Sequence, residues 1–323
     1  MKTALITGCA GQTGSHLVDY ILDNQQDWSV HGIVRYRSDL TNLQGSKDKI
    51  QLHDCDLRDA HNVDKIISKI KPDKVFHLAA TSFVRSSFDQ PCEVIHNNTI
   101  SQINIMESLI RHRPDATINV ACSSEQYGLV EPDEIPIKES NPFRPLSPYG
   151  VSKIAQETLA YQYYRSYNLR TIVTRTFNHC SDRRGDAFVE SSFCKQVAMI
   201  EAGRQEPIIK HGNLESVRDY SDARDVAEAY WVASEKCSPG EPYNVCSGEG
   251  ITIGQLLDDI VSLSNIIIRK KKDPLRMRPS DVVLLVGDST KFRKLTGWAP
   301  RIPFKQTMND LLEAWRRKIS LLK

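Results

Sequence analysis

The sequence lacks any long apolar run. Its most hydrophobic stretches, such as Val282–Val286, are far short of the roughly 18–20 residues a spanning helix needs, so no membrane segment is expected. It lacks a charge imbalance too. The 42 Lys and Arg against 40 Asp and Glu leave a net charge of +2, which offers no broad footprint for nucleic acid. The longest basic run, Arg269-Lys270-Lys271-Lys272, is short and reads as a solvated strand end or turn. The eight cysteines are dispersed, with no C-x-x-C and no zinc-like pairing with the nine histidines. That excludes a disulfide framework or a metal site and points to buried, reduced thiols. Met1 to Thr7 holds too few apolar residues for a signal peptide, so a cytoplasmic protein is expected. Repeats and low-complexity tracts are also missing.

What remains is a chain of 323 residues, 40% hydrophobic and 25% charged, ordinary for a globular protein of two domains or one large domain with insertions. Short apolar runs alternate with helical patterns over the first half. Ala4-Leu5-Ile6, Val30–Val34, Ile50–Leu52, Val75–Leu78, Ile118–Ala121 and Thr171–Val173 read as strands. Between them lie helix-length segments such as Asp59–Lys69, Glu93–Arg111 and Pro148–Tyr167. Runs apolar on both faces, separated by helices, predict a doubly wound parallel α/β sheet of the Rossmann type. After about Asn178 the pattern changes to loops rich in Arg, Asp and Ser, with short strands at Pro207–Lys210 and Tyr243–Cys246. Two amphipathic helices follow, one carrying Leu256, Leu257, Ile260 and Leu263, the other Met308, Leu311, Leu312 and Trp315. We expect residues 1–177, with 222–248 returning, to bind a dinucleotide, and 178–221 with 249–323 to form a smaller, interleaved substrate lobe. Open α/β sheets hold ligands at the strand C-termini, where that lobe would sit.

The first strand runs into Gly8-Cys9-Ala10-Gly11-Gln12-Thr13-Gly14 and then a helix with Leu17, Val18, Ile21 and Leu22 on one face. Glycines there allow a tight turn and let a pyrophosphate reach the free amides of a helix N-terminus. Gly8, Gly11, Gln12, Thr13 and Gly14 are therefore candidate cofactor residues. The second strand ends in Val34-Arg35-Tyr36-Arg37-Ser38. Arg35, Arg37 and Ser38 suit a 2′-phosphate and favour NADP, while nearby Asp39 keeps NAD open. Asp56-Leu57, past the third strand, faces the adenine edge, or Asp56 simply caps a helix.

Tyr149 and Lys153 are four residues apart, which on a helix puts both on one face, about 40° apart. An ammonium beside a phenol lowers its pKa and makes Tyr149 a usable acid/base. Ser123 leaves the fifth strand at Ala121-Cys122-Ser123-Ser124-Glu125 and can reach the same substrate oxygen. Glu125, two residues on, would point to the same side of an extended segment.

In these elements, in this order, the chain resembles the extended short-chain dehydrogenase/reductase family over essentially its full length. Within it, the likeness is to GDP-mannose 4,6-dehydratases and the related GDP-4-keto-6-deoxymannose reductases. The resembling stretches include Gly8–Leu17, His77–Ala80, Ser123–Gly128, Asn141–Lys153, Arg175–His179, Arg183-Arg184-Gly185, Gly212–Asp225 and Arg278–Asp288. The resemblance implies Ser123, Tyr149 and Lys153 as a catalytic triad and Leu78, Ala79 and Ala80 beside the cofactor. It also implies that Ser124, Asn178, Arg218, Arg278 and Asp281 hold a GDP-hexose, with the arginines on the diphosphate. A homodimer or homotetramer built on the helices of Glu93–Arg111 and Pro148–Tyr167 follows from the same likeness. Glu125 then fits a C5 base and C6 acid, so a dehydratase is the leading expectation. Phe188–Phe193 lacks the basic residue many dehydratases place shortly after F-V, which keeps the reductase in view. An epimerase, or a dinucleotide-binding sensor with no catalysis, are the remaining alternatives.

Overall fold

The structure, a computed structural model, describes residues 1–277 and 282–321. The chain begins β1 (Lys2–Thr7), α1 (Gln12–Asn24), β2 (Trp28–Val34), β3 (Gln51–Asp54), α2 (Ala60–Ile70) and β4 (Lys74–His77). It continues with α3 (Val84–Asp89), α4 (Pro91–His112), β5 (Thr117–Ser123), α5 (Pro148–Tyr167), β6 (Arg170–Thr176) and β7 (Asn178–Cys180). Next come α6 (Val189–Glu201), β8 (Ile208–His211), β9 (Val217–Asp222), α7 (Ala223–Lys236) and β10 (Pro242–Val245). The described remainder is β11 (Gly250–Thr252), α8 (Ile253–Val261), β12 (Arg269–Lys272), β13 (Leu284–Leu285), α9 (Thr290–Thr296) and α10 (Phe304–Ser320).

Seven strands form one sheet in the order β10-β6-β5-β4-β1-β2-β3, and every neighbouring pair is parallel. This is the doubly wound arrangement expected. Its cause is visible in β1, where Ala4, Leu5 and Ile6 are all fully buried. Ala4 and Ile6 pack with Leu17, Val18 and Ile21 of α1 and Val226 and Tyr230 of α7. Leu5 faces the other way, towards Val63 and Ile67 of α2 and Ile105 of α4. Period-two alternation thus sends consecutive apolar residues into two separate cores.

Helix ends follow local chemistry. Asp59, not Asp56, caps α2, accepting the amides of His61 and Asn62. Ser147 caps α5 by accepting the Gly150 amide, Pro148 occupies the first turn, and Asn168 ends the helix at φ 56°.

The second half holds three described helices that the sequence pattern did not suggest, α6, α7 and the short α9. The α7 helix and β10 return to the large sheet. Strands β11, β9, β13 and β7 make a separate small sheet. The α6, α8 and α10 helices cover its core around Val197, Leu256, Leu257, Leu311 and Leu312. The basic run is β12, exposed along its length and paired only with β8 among the described residues. No described helix is long and apolar enough to cross a membrane.

Candidate active site

A cavity of about 800 Å³ lies at the carboxyl ends of the sheet strands, bounded on its other side by α6, β9 and the start of α8. Its floor is the turn from β1 to α1. Gly8 has φ +69°, and a Cβ there would sit 3.0 Å from the Ala79 amide nitrogen, so only glycine fits beneath β4. Gly11 precedes α1 with no side-chain cap, which leaves the first amides of the helix for a ligand. The Oε1 atom of Gln12 is buried without a partner. Gly14, Thr13, Leu78, Ala79 and Ala80 line the same wall. An uncapped helix start and a glycine-only cradle fit a dinucleotide pyrophosphate, and the orphaned Gln12 amide oxygen calls for a donor beside it, such as a ribose hydroxyl.

Thr13 is positioned by His179, a residue the sequence reading did not single out. Burial lowers its imidazole to about 4, so the ring is neutral. Its Nδ1–H donates to the Phe177 carbonyl at 2.9 Å, and Nε2 accepts the Thr13 hydroxyl at 2.9 Å. Beyond β2, Arg35 and Ser38 line the cavity, and the Arg35 amide donates to the Ser38 hydroxyl at 3.1 Å. Arg37 does not line it. It takes φ 62° and lays its guanidinium over the exposed Tyr36 ring, 5.1 Å from the centroid. Asp56 and Leu57 reach the cavity, with Asp56 gripped by the Arg58 guanidinium.

Ser123, Ser124, Glu125, Tyr149 and Lys153 line one stretch of wall. Ser124–Gln126 form a 3₁₀ turn rather than an extended segment, because the Ser123 hydroxyl caps it by accepting the Glu125 amide. Glu125 reaches the cavity by this turn, not by strand alternation. It is half-buried, and its carboxylate accepts no hydrogen bond from a described residue. Tyr149 and Lys153 share a face of α5 as expected, but the ammonium points elsewhere. Lys153 Nζ donates to the Ala121 carbonyl at 2.7 Å and lies 5.8 Å from the Tyr149 ring centroid. Burial lowers the Lys153 pKa to about 8. Burial also drives the Tyr149 phenol well above its ordinary range, opposed only in part by the neighbouring Ser123 hydroxyl. In this structure burial, rather than the ammonium, dominates the phenol's protonation and keeps it neutral.

Asn178 and Arg218 face the other part of the cavity; Arg218 is buried and donates to the Val217 carbonyl at 2.9 Å. Arg278 and Asp281 lie outside the described residues. Phe83 and Phe188 meet edge-to-face at 5.6 Å across the lining, with the Arg184 guanidinium 3.4 Å from the Phe188 centroid. Glu190, within the Phe188–Phe193 segment that lacks a basic residue, is buried and accepts Arg184 Nε at 2.9 Å. No spacing in the sequence signals the Phe83–Phe188 contact, which joins segments about a hundred residues apart, whereas the Arg184–Glu190 pair is local.

Residues 5–311 match the family described as GDP-mannose 4,6 dehydratase. The chain belongs to the GDP-mannose 4,6-dehydratase family. It is 33% identical to GDP-mannose 4,6 dehydratase 2 of Arabidopsis thaliana, over 97% of this chain and 86% of the relative. It is 28% identical to GDP-6-deoxy-D-mannose reductase of Pseudomonas aeruginosa, over 97% of both. The structure of RMD from P. aeruginosa complexed with NADPH superposes with a TM-score of 0.86 at 27% identity, over 98% of this chain and all (100%) of that one. Dehydratase and reductase therefore both stand among the relatives of this GDP-mannose 4,6-dehydratase family member.

Proposed function

We propose that the protein is an NADP-dependent, cytoplasmic GDP-mannose 4,6-dehydratase. The observation that carries this reading is Glu125, a carboxylate without a described partner in the same cavity wall as Ser123, Tyr149 and Lys153. A reductase needs only an acid to protonate the oxygen that becomes the C4 hydroxyl. A dehydratase also needs a base for C5 and an acid for the C6 hydroxyl, and one carboxylate serves for both.

Gly8, Gly11, Gln12, Thr13 and Gly14 would hold the pyrophosphate of the dinucleotide, Arg35 and Ser38 a 2′-phosphate, and Asp56 and Leu57 the adenine. The nicotinamide supplies reversible hydride acceptance when bound. Tyr149 would act as the phenolate, which the Lys153 ammonium would stabilise in the loaded site against the effect of burial, and take the proton of the C4 hydroxyl while Ser123 donates a hydrogen bond to the same oxygen. The resulting C4 ketone acidifies C5. Glu125 removes the C5 proton and passes a proton to the departing C6 hydroxyl, which leaves as water. Protonation at C5 and hydride return to C6 complete a redox-neutral sequence. Asn178 and Arg218 would anchor the diphosphate, an interaction suited to a buried guanidinium. Residues 1–177 with 222–248 serve the dinucleotide in this reading, and 178–221 with 249–323 the sugar nucleotide. The half-exposed α5 residues Val151 and Tyr161 support a homo-oligomer assembled on α4 and α5.

A second reading, reduction of GDP-4-keto-6-deoxymannose, is favoured by the lack of a basic residue in Phe188–Phe193 and by the fuller coverage of the reductase relative. One assay separates the two. GDP-mannose incubated with enzyme and NADP should lose the mass of one water without net change in nicotinamide absorbance. No water loss, with NADPH consumed on adding the 4-keto sugar, would establish the reductase instead.

A further inference from the structure

Behind the cavity wall lies a buried polar chain that touches none of the proposed ligands. Arg175 on β6 meets Glu157 on α5 in a two-pronged ion pair, Nε to Oε2 at 2.9 Å and Nη2 to Oε1 at 2.5 Å. Their side chains are only 5% and 12% exposed. The other guanidinium nitrogen donates to the Tyr127 hydroxyl and to the Glu139 carbonyl, each at 2.8 Å. Tyr127 in turn donates to Asn244 Oδ1 on β10 at 2.7 Å. Glu157 Oε2 accepts Gln126 Nε2 at 2.8 Å, and Gln126 Oε1 accepts the Ser123 amide at 3.1 Å. Gln126, Tyr127, Glu157 and Arg175 are all absent from the cavity lining.

The chain joins two separate parts of the catalytic wall. Ser123 and Glu125 ride on the turn after β5, while Tyr149 and Lys153 ride on α5. Glu157 continues the spacing of four on that same helix, so one carboxylate holds both the helix and, through Gln126, the turn. We infer that Glu157, fixed by Arg175, and Gln126 are positioning residues that set Ser123 and Glu125 in register with Tyr149. A bidentate pair in a buried site resists rotation better than a single hydrogen bond, and a misplacement of about 1 Å at reacting groups costs roughly 10²-fold in rate. The inference rests on the catalytic assignment above, yet its effect on the turn is measurable without substrate.

The test uses the full-length enzyme with Gln126→Leu and Glu157→Gln. Glu201→Gln serves as a control, since it cuts the comparable two-pronged Arg316 pair at 2.7 and 2.6 Å, away from the catalytic wall. Gln126→Leu should lower kcat by roughly 10²-fold while KM stays within about twofold. The control should lower Tm and leave kcat unchanged. Amide hydrogen exchange over 123–127 should accelerate at least about 10-fold in both test variants and not in the control. Glu157→Asp, which keeps the charge, should recover part of the kcat lost in Glu157→Gln. Unchanged exchange over 123–127 in Gln126→Leu overturns the inference whether or not a substrate has been found. With an active wild type, unchanged kcat, or equal losses in kcat and affinity, overturns it too. Failure of the wild type on every GDP-hexose would instead strike the proposed function, with the exchange arm still deciding the positioning role.

Discussion

Gly150 sits so close under Glu125 that a Cβ on it would lie 2.6 Å from the Glu125 carbonyl oxygen. The first turn of α5 and the turn that carries the proposed base are thus in backbone contact, with no room for a methyl group. Gly150→Ala should push that turn away, costing about 1–3 kcal/mol of stability from overpacking. It should also lower kcat at least about 10-fold. Thermal unfolding and steady-state rates below Tm check both effects. A normal rate would mean that the turn tolerates displacement and that Glu125 is not held tightly.

Lys153 should impose a limit on the alkaline side of the rate profile. Burial lowers its pKa to about 8, so the ammonium is charged below that pH and neutral above it. If its positive charge assists the phenol, kcat falls as pH rises through about 8. Lys153→Arg keeps its charge across the range and should remove this limb, although at a lower maximum rate. A wild-type profile flat to pH 10 would separate the charge of Lys153 from the rate.

The two arginines after β2 should behave differently. Arg35 lines the cavity, whereas Arg37 stacks on the exposed Tyr36 ring. Arg35→Ala should weaken NADPH binding about 10-fold while changing NADH binding little. Arg37→Ala should leave both within about twofold, since it removes only exposed charge. Titration of nicotinamide fluorescence reads the constants. Equal losses for NADPH and NADH in Arg35→Ala would remove the argument for a 2′-phosphate site.

The sheet was legible because β1, β2, β4, β5 and β6 carry apolar residues on both faces and helices such as α1 and α2 show a single apolar stripe. Strand β9 was hidden for the opposite reason: Val217–Asp222 carries Arg218, Asp219 and Asp222, all buried. These charges are tolerated inside because they are satisfied. Asp219, for example, accepts the amides of Ser247, Gly248 and Gly287. No pattern based on hydrophobicity can find such a strand. Helix α7 was missed because nine of its residues are buried, which blurs the stripe. At the site, spacing on one helix brought out Tyr149 and Lys153 but not where the ammonium goes. Lys153 donates to Ala121, a backbone atom on a neighbouring strand, and only the tertiary structure reveals such a partner. Gln126 and Glu157 were overlooked because neither lines the cavity, and His179, which does, because its contact with Thr13 spans 166 positions of sequence.

The direct test of dehydration at this site is Glu125→Gln, run on GDP-mannose in deuterated water. Wild-type product should carry deuterium at C5 and lack the C6 hydroxyl. The variant should bind the dinucleotide normally but lose water elimination by roughly 10²–10⁴-fold, the usual cost of removing a general acid/base. Elimination at the wild-type rate in Glu125→Gln would contradict the account.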